Sequence, residues 1–159
     1  MIYLIDGYNF IFQKFTIYND KPFQNARDQL FEYFANLTSF AKIKILIIFD
    51  ANKTEEENIN YEYFENFDVI YTPRNQSADE YIIEYISHRK KTKDIFVVTS
   101  DNLLTLEIKS YNAKVISIES FIEKFKHKLQ APHKLEKQQY ETDENIEKYL
   151  KIFEKKSNN

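Results

Sequence analysis

Five short, nearly unbroken apolar runs alternate along this chain with stretches of helical spacing, and this alternation constrains the fold more than any other feature. The runs are "IYLID" (Ile2 to Asp6), "KILIIFD" (Lys44 to Asp50), "FDVIYT" (Phe67 to Thr72), "DIFVVTS" (Asp94 to Ser100) and "AKVIS" (Ala113 to Ser117). Runs of Ile, Val, Leu and Phe without polar alternation suit strands buried on both faces. Between them, "NARDQLFEYFANLTSFAK" places Ala26, Leu30, Phe31, Phe34, Leu37 and Ala41 at helical spacing. "SADEYIIEYISHRKK" reads as a helix with Ser77 at the N-cap and Glu80 three residues on, a capping box. "DNLLTLEIKSYN" and the amphipathic "IESFIEKFKHKL" read as two more helices, and the polar segment Asn52 to Asn66 as a loop with at most one helical turn. The expected fold is α/β: a three-layer sandwich with a mostly parallel central sheet.

The chain has 159 residues, 43% of them hydrophobic and 16% aromatic, enough for one domain with its own core. The globular pattern spans residues 1–130. Pro132 ends it, and residues 131–159 form a charged tail in which Ile146, Tyr149, Leu150 and Phe153 have helical spacing. With no cysteine, thiolate catalysis, disulfides and Cys-type zinc sites are excluded. No run is long enough for a membrane span, and the start lacks the marks of a signal peptide, so a cytoplasmic location is expected. A formal net charge of −3 is not the footprint of binding nucleic acid by bulk positive charge.

The acids fall in a pattern. Asp6 and Asp50 end strands, Asp79 lies in the first turn of a helix, and Asp101 follows directly after "FVVTS". In a parallel sheet all strand C-termini share one edge, where ligands bind and the following helices begin. Asp6, Asp50, Asp79 and Asp101 are therefore expected at one place. Carboxylates so gathered repel one another, and a divalent cation relieves the repulsion. Oxygen donors without Cys or His favour Mg²⁺ or Mn²⁺ over zinc, which points to phosphate chemistry. Gly7, the only glycine, is expected at the turn leaving the first strand, allowing an unusual backbone angle or the close approach of a phosphate. Asn9 is placed to hydrogen-bond Asp6 or a ligand oxygen. Tyr8, at the same edge, is a candidate for stacking on a base.

"LIDGYNFI", "NARDQL", "IIFDANK", "SADEYI" and "VVTSDN", in this order, resemble the YacP-like ribonucleases of the NYN group of PIN-like nuclease domains. The resemblance covers Met1 to Leu129. It implies a metal-dependent endoribonuclease acting on RNA, with mRNA within the translating ribosome as a substrate of some members. By motif, Asp6, Asp79 and Asp101 match the acidic centre, Asp50 a further acidic position, and Asn9 the Asn of "DGYN". Arg27 and Asp28 match an "ARD" stretch, which would bring Arg27 to a substrate phosphate. The implied catalytic set is Asp6, Asn9, Asp79 and Asp101, with Asp6, Asp79, Asp101 and Asp50 holding Mg²⁺ or Mn²⁺. Gly7, Tyr8, Arg27, Lys53, Arg74 and Ser100 are the implied substrate contacts. Thr99 and Ser100 are implied to position water, and the N–H groups that open the helix at Ser100–Asp101 to favour an anion. The loop between Asp50 and Asp68 lacks the expected glycines, and Gln76 stands where an acid is often found.

His88, His127 and His133 sit in basic surroundings and are not expected to ligate metal. The run His88 to Lys93 ends a helix and should lie away from the acidic edge. An aspartyl-phosphate phosphatase would need an acid where Tyr8 stands, and a receiver domain two adjacent acids after the first strand. One glycine cannot build a phosphate loop. A 5′-flap DNA nuclease needs more acids and a helical arch. The alternative from another class is a non-catalytic RNA- or ribosome-binding module on the same fold. A monomer is the expected state.

Overall fold

The computed structural model describes residues 1–14, 22–50 and 59–129. Its elements, in chain order, are β1 (Ile2–Asp6), α1 (Gly7–Lys14), α2 (Pro22–Phe40), β2 (Lys44–Phe49), β3 (Asn60–Tyr63), β4 (Phe67–Tyr71), α3 (Ala78–Ser87), β5 (Ile95–Val98), α4 (Asn102–Ser110), β6 (Lys114–Ile116) and α5 (Ile118–Leu129). They form one sheet in the order β3-β4-β2-β1-β5-β6. Every pairing is parallel except β3 with β4. The expected mostly parallel sheet is thus what the chain builds, and the five apolar runs are its parallel strands.

Alternate residues of the strands feed two separate cores, as the period of two requires. Tyr3, Ile5, Ile45, Ile47 and Phe49 face α1, α2 and α5, joined by Phe10, Leu30, Phe34, Phe121 and Phe125. Leu4, Leu46, Ile48, Ile95 and Val97 face α3 and α4, joined by Ile82, Ile86, Leu104 and Ile108. The first core is built on rings. Tyr3 lies edge-on to Phe121 and Phe125 at centroid distances of 5.3 and 5.8 Å, and Phe10 sits 5.2 Å from Phe34. Much of the aromatic content is spent here, each fully buried ring stabilising the fold by about 2–3 kcal/mol through the area it removes from water.

Two elements depart from the sequence expectation. Residues 60–63, expected in a loop, form β3, an antiparallel edge strand whose one buried side chain is Glu62. The strand signal was the aromatic alternation of Tyr61 and Tyr63, overshadowed by the acidic residues before it. Gly7, expected at a turn, is the first residue of helix α1 and has no positive φ. The left-handed position is taken instead by Asn112, at φ 56°, where α4 ends. Asn tolerates that conformation better than most residues, and it serves where helices usually stop on glycine.

Lys53 and the proposed tail helix of residues 131–159 lie outside the described residues. No helix among the described residues is long and apolar enough to cross a membrane.

Candidate active site

The register sets the acidic edge. Asp6 ends β1 opposite Ile48, so Asp50 projects two residues further along β2. On the other side Ile5 pairs with Val98, and the chain leaving β5 reaches Asp101 at the start of α4. Strand order turns back at β1: the chain steps outward through β2 and β4, then crosses to β5 on the other side. Such a switch point leaves a crevice beyond the strand C-termini.

Three of the carboxylates are held by helix N-termini, each through one oxygen. Asp6 Oδ1 accepts from the Asn9 N–H at 3.1 Å and so caps α1. Asp101 Oδ1 accepts from the Leu104 N–H at 2.9 Å and caps α4. Asp50 Oδ1 accepts from the N–H of Ala78, the first residue of α3, which ties the end of β2 to that helix. Asp79 follows Ala78 directly. The Ser77–Glu80 capping box forms as the spacing predicts, with Glu80 N–H to Ser77 Oγ at 3.1 Å and Ser77 N–H to Glu80 Oε2 at 2.7 Å. A carboxylate at a helix N-terminus is stabilised by unpaired N–H groups and the macrodipole. Three helices thus bring their N-termini to one edge, each with an acid.

The acids sense one another. The Asp6 carboxyl is pushed up to about 6, first by burial and then by the charges of Asp79, Asp50 and Asp101, against the Asn9 hydrogen bond that lowers it. Asp79 is raised by burial, then by Asp101, Asp50, Glu107 and Glu80. Glu107, on α4, was not singled out in the sequence, where it reads as one of many helix-surface acids. An all-oxygen, mutually repelling donor set suits a hard divalent cation. Among the described residues, no group of three or more His, Cys, Asp or Glu side chains stands close enough to hold one metal ion together.

Asn9 is a strut between elements. Its side-chain Oδ1 accepts from the Ser100 N–H at 3.2 Å, so α1 is tied to the loop that carries Asp101. Gln13 Oε1, one turn further, accepts from Ser100 Oγ at 3.0 Å. The Asp101 N–H goes to Thr99 Oγ1 at 3.1 Å. These bonds give Ser100, Asp101 and Thr99 partners within the protein. The N–H groups of Ser100 and Asp101 already have acceptors and are not offered to an anion. Ser100 Oγ is committed to Gln13, and Thr99 is buried as a brace of the turn.

Gly7 is also corrected. A Cβ built on it would lie 2.7 Å from Cδ1 and Cζ of Phe49, so its bareness serves ring packing, and it stands in a helix rather than at a turn. Tyr8 is half-buried, edge-on to Phe49 at a centroid distance of 4.9 Å and packed against the core. Arg27 is half-buried and hydrogen-bonded to Tyr71, which also bonds Glu62. Burial raises the Glu62 carboxyl, with Arg27 and Tyr71 opposing the shift. The Arg27 charge also acts on Tyr8, and so does Asp50, which places this network beside the acidic edge. Glu62 and Tyr71 were missed in the sequence because their pairing depends on the β3–β4 hairpin. Arg74 is exposed in the turn between β4 and α3, at the same edge.

A family model described as the YacP-like NYN domain matches residues 3–157, past the Met1–Leu129 span of the motifs. A Bacillus subtilis (strain 168) relative, "Uncharacterized protein YacP", is 30% identical over 106 residues, 63% of this chain. The match spans 60% of that relative's length. The crystal structure of Rae1 (YacP) from Bacillus subtilis is similar at a TM-score of 0.64 and 23% identity, covering 99% of this chain and 83% of that one. A mutant of the same protein gives 0.60 at 25% identity, covering 80% and 76%.

Proposed function

Because this chain belongs to the YacP-like NYN family, whose domains are nuclease-like, we propose that it is a metal-dependent endoribonuclease that hydrolyses RNA phosphodiesters. One observation carries the reading: Asp6 and Asp79, both raised first by burial, are raised further by Asp50 and Asp101 at the switch point of the sheet. Helix caps account for one oxygen each of Asp6, Asp50 and Asp101, but gathering four mutually repelling acids at one edge suits a bound cation and a phosphate better than it suits stability.

Asp6, Asp79, Asp101 and Asp50 would hold Mg²⁺ or Mn²⁺. When bound, such an ion supplies activation of water and stabilisation of charge on the phosphate. The chain's own groups do the rest. Three helix caps hold the carboxylates in place through one oxygen each. Asn9 fixes the distance between the Asp6 and Asp101 elements through Ser100. Preorganisation of this kind spares reorganisation during the reaction. Arg74 is the exposed cation placed to meet a substrate phosphate at this edge. Messenger RNA is the proposed substrate, and the ribosome a proposed source of affinity for a chain of net charge −3.

The test uses the full chain with Mn²⁺, on naked mRNA and on stalled translating ribosomes, with Asp79→Asn and EDTA as controls and the new RNA ends mapped. Discrete cuts that disappear in both controls are expected. A folded protein that cuts neither substrate would reduce the fold here to an RNA-binding module.

A further inference from the structure

The edge strand β3 carries two tyrosines on the face opposite Glu62. Tyr61 is 41% exposed and Tyr63 76%, with rings parallel within 7° and centroids 6.1 Å apart. Burial raises the Tyr81 hydroxyl on α3, and Tyr61, beside it on β3, raises it further. Tyr81 lies one helical turn from Tyr85, at a centroid distance of 6.4 Å. The Arg89 guanidinium sits 3.9 Å from the Tyr85 ring. These contacts link five side chains into one stripe, Tyr63–Tyr61–Tyr81–Tyr85–Arg89.

Tyr81 stands two residues after Asp79 on α3, which brings the stripe near the acidic edge. Two acids of that helix are engaged. Glu80 closes the capping box, and Glu84 accepts from the Gln76 amide at 2.5 Å. Tyr61 and Tyr63 present exposed, parallel rings, poor material for a solvent-facing edge and good material for stacking, while Tyr81 and Tyr85 are half-buried beside them against the core. An unpaired nucleobase offers a π-face of matching size, and the other face of a stacked guanidinium takes a base or a phosphate. Duplex RNA hides those faces. The net charge of −3 leaves stacking, rather than phosphate neutralisation, to supply affinity here.

We propose that the Tyr63–Tyr61–Tyr81–Tyr85–Arg89 stripe is a stacking platform that binds single-stranded RNA and leads it to the acidic edge. The proposal rests on the ribonuclease reading for the direction of the strand, but its test is binding. A fluorescently labelled, unstructured RNA oligonucleotide is titrated with the full chain in EDTA, where no cleavage occurs, and anisotropy is read. Tyr63→Ala is expected to weaken binding about tenfold or more, the Tyr61→Ala/Tyr63→Ala pair further, and Tyr63→Phe little, since the ring is what stacks. Tyr63→Leu, which keeps apolar area without a π-face, should behave as Tyr63→Ala. Circular dichroism melts confirm that the variants fold, as the exposure of Tyr63 predicts. Binding should fall only shallowly with salt, and the same sequence annealed into a duplex should bind more weakly. Equal affinity of wild type and Tyr63→Ala, or equal losses in Tyr63→Phe and Tyr63→Ala, would overturn the stripe. The two readings fail separately. Stripe-dependent binding without metal-dependent cuts would sink the nuclease and leave the platform, whereas cuts without stripe-dependent binding would do the reverse.

Discussion

Gly7 lies flat against the ring of Phe49, with room for a hydrogen but not for a carbon: a Cβ would meet Cδ1 and Cζ at 2.7 Å. Phe49 cannot simply swing away. It is fully buried, with Tyr8 edge-on at 4.9 Å, Phe31 at 6.3 Å and Tyr71 stacked at 5.7 Å. Gly7→Ala is therefore expected to destabilise the protein by about 2 kcal/mol, although alanine is the better helix former. Urea unfolding checks this, and Gly7→Ala/Phe49→Leu should recover part of the loss. A neutral or stabilising Gly7→Ala would mean that the ring yields and the glycine is there for another reason.

The gathering of acids carries a pH signature. Folding raises the Asp6 carboxyl from 3.8 to about 6. A group raised on folding favours the fold while protonated. Its contribution is whole below about 3.8 and is lost as pH rises through about 6. Asp6→Asn keeps an acceptor for the Asn9 N–H and removes the charge. In EDTA the variant should exceed wild type in stability at about pH 8, by at most about 3 kcal/mol, and the gap should close towards about pH 4. Thermal melts across that range decide it. A gap independent of pH would mean that burial and neighbouring carboxylates do not burden Asp6.

Asp79→Asn separates charge from fold in another way. Asp79 sits in the first turn of α3, where a carboxylate interacts favourably with the macrodipole, but it is raised by burial and by Asp101, Asp50 and Glu107. These effects oppose each other, so stability should change by less than about 1 kcal/mol. Cleavage of RNA should fall by two orders of magnitude or more, roughly the loss seen when one preorganised electrostatic group is removed from a transition state. Parallel melting curves and initial cleavage rates give the comparison. A variant that unfolds would make Asp79 a structural acid.

The Glu62–Tyr71–Arg27 network predicts non-additive stability. Glu62→Gln and Arg27→Gln each leave a partly buried partner without its charge and should each cost about 1–3 kcal/mol. The double variant should cost less than their sum by about 1 kcal/mol or more. Chemical denaturation of all four proteins tests this. Additivity within about 0.5 kcal/mol would show that the two charges do not act on each other through Tyr71.

Local pattern carried much of this protein. "KILIIF" could only be a strand buried on both faces, and β2 has its last five residues buried. Ser77 and Glu80 announced the α3 N-terminus, and their reciprocal hydrogen bonds begin that helix. The edge at which Asp6, Asp50, Asp79 and Asp101 collect followed from one rule, that parallel strands end together. The short helix at Gly7–Lys14 was not legible, because its N-cap is Asp6, whose role as a strand-end acid masked its role as a cap. Glu62 was hidden by its acidic surroundings, and its burial depends on Arg27, 35 positions earlier in the chain.

The sequence by itself determined most of the strands and helices, though not β3 or α1, and at which end of the sheet the acids lie, because hydrophobic period and capping act between residues close in the chain. Only the tertiary structure decided what the individual polar groups near that edge do. Asn9 reaches Ser100, Asp50 reaches Ala78, Arg27 reaches Tyr71, and Gly7 makes way for Phe49. Hydrogen bonds and ring contacts have ranges of a few ångströms, so partners far apart in the chain are chosen only once strand order and register have brought them together.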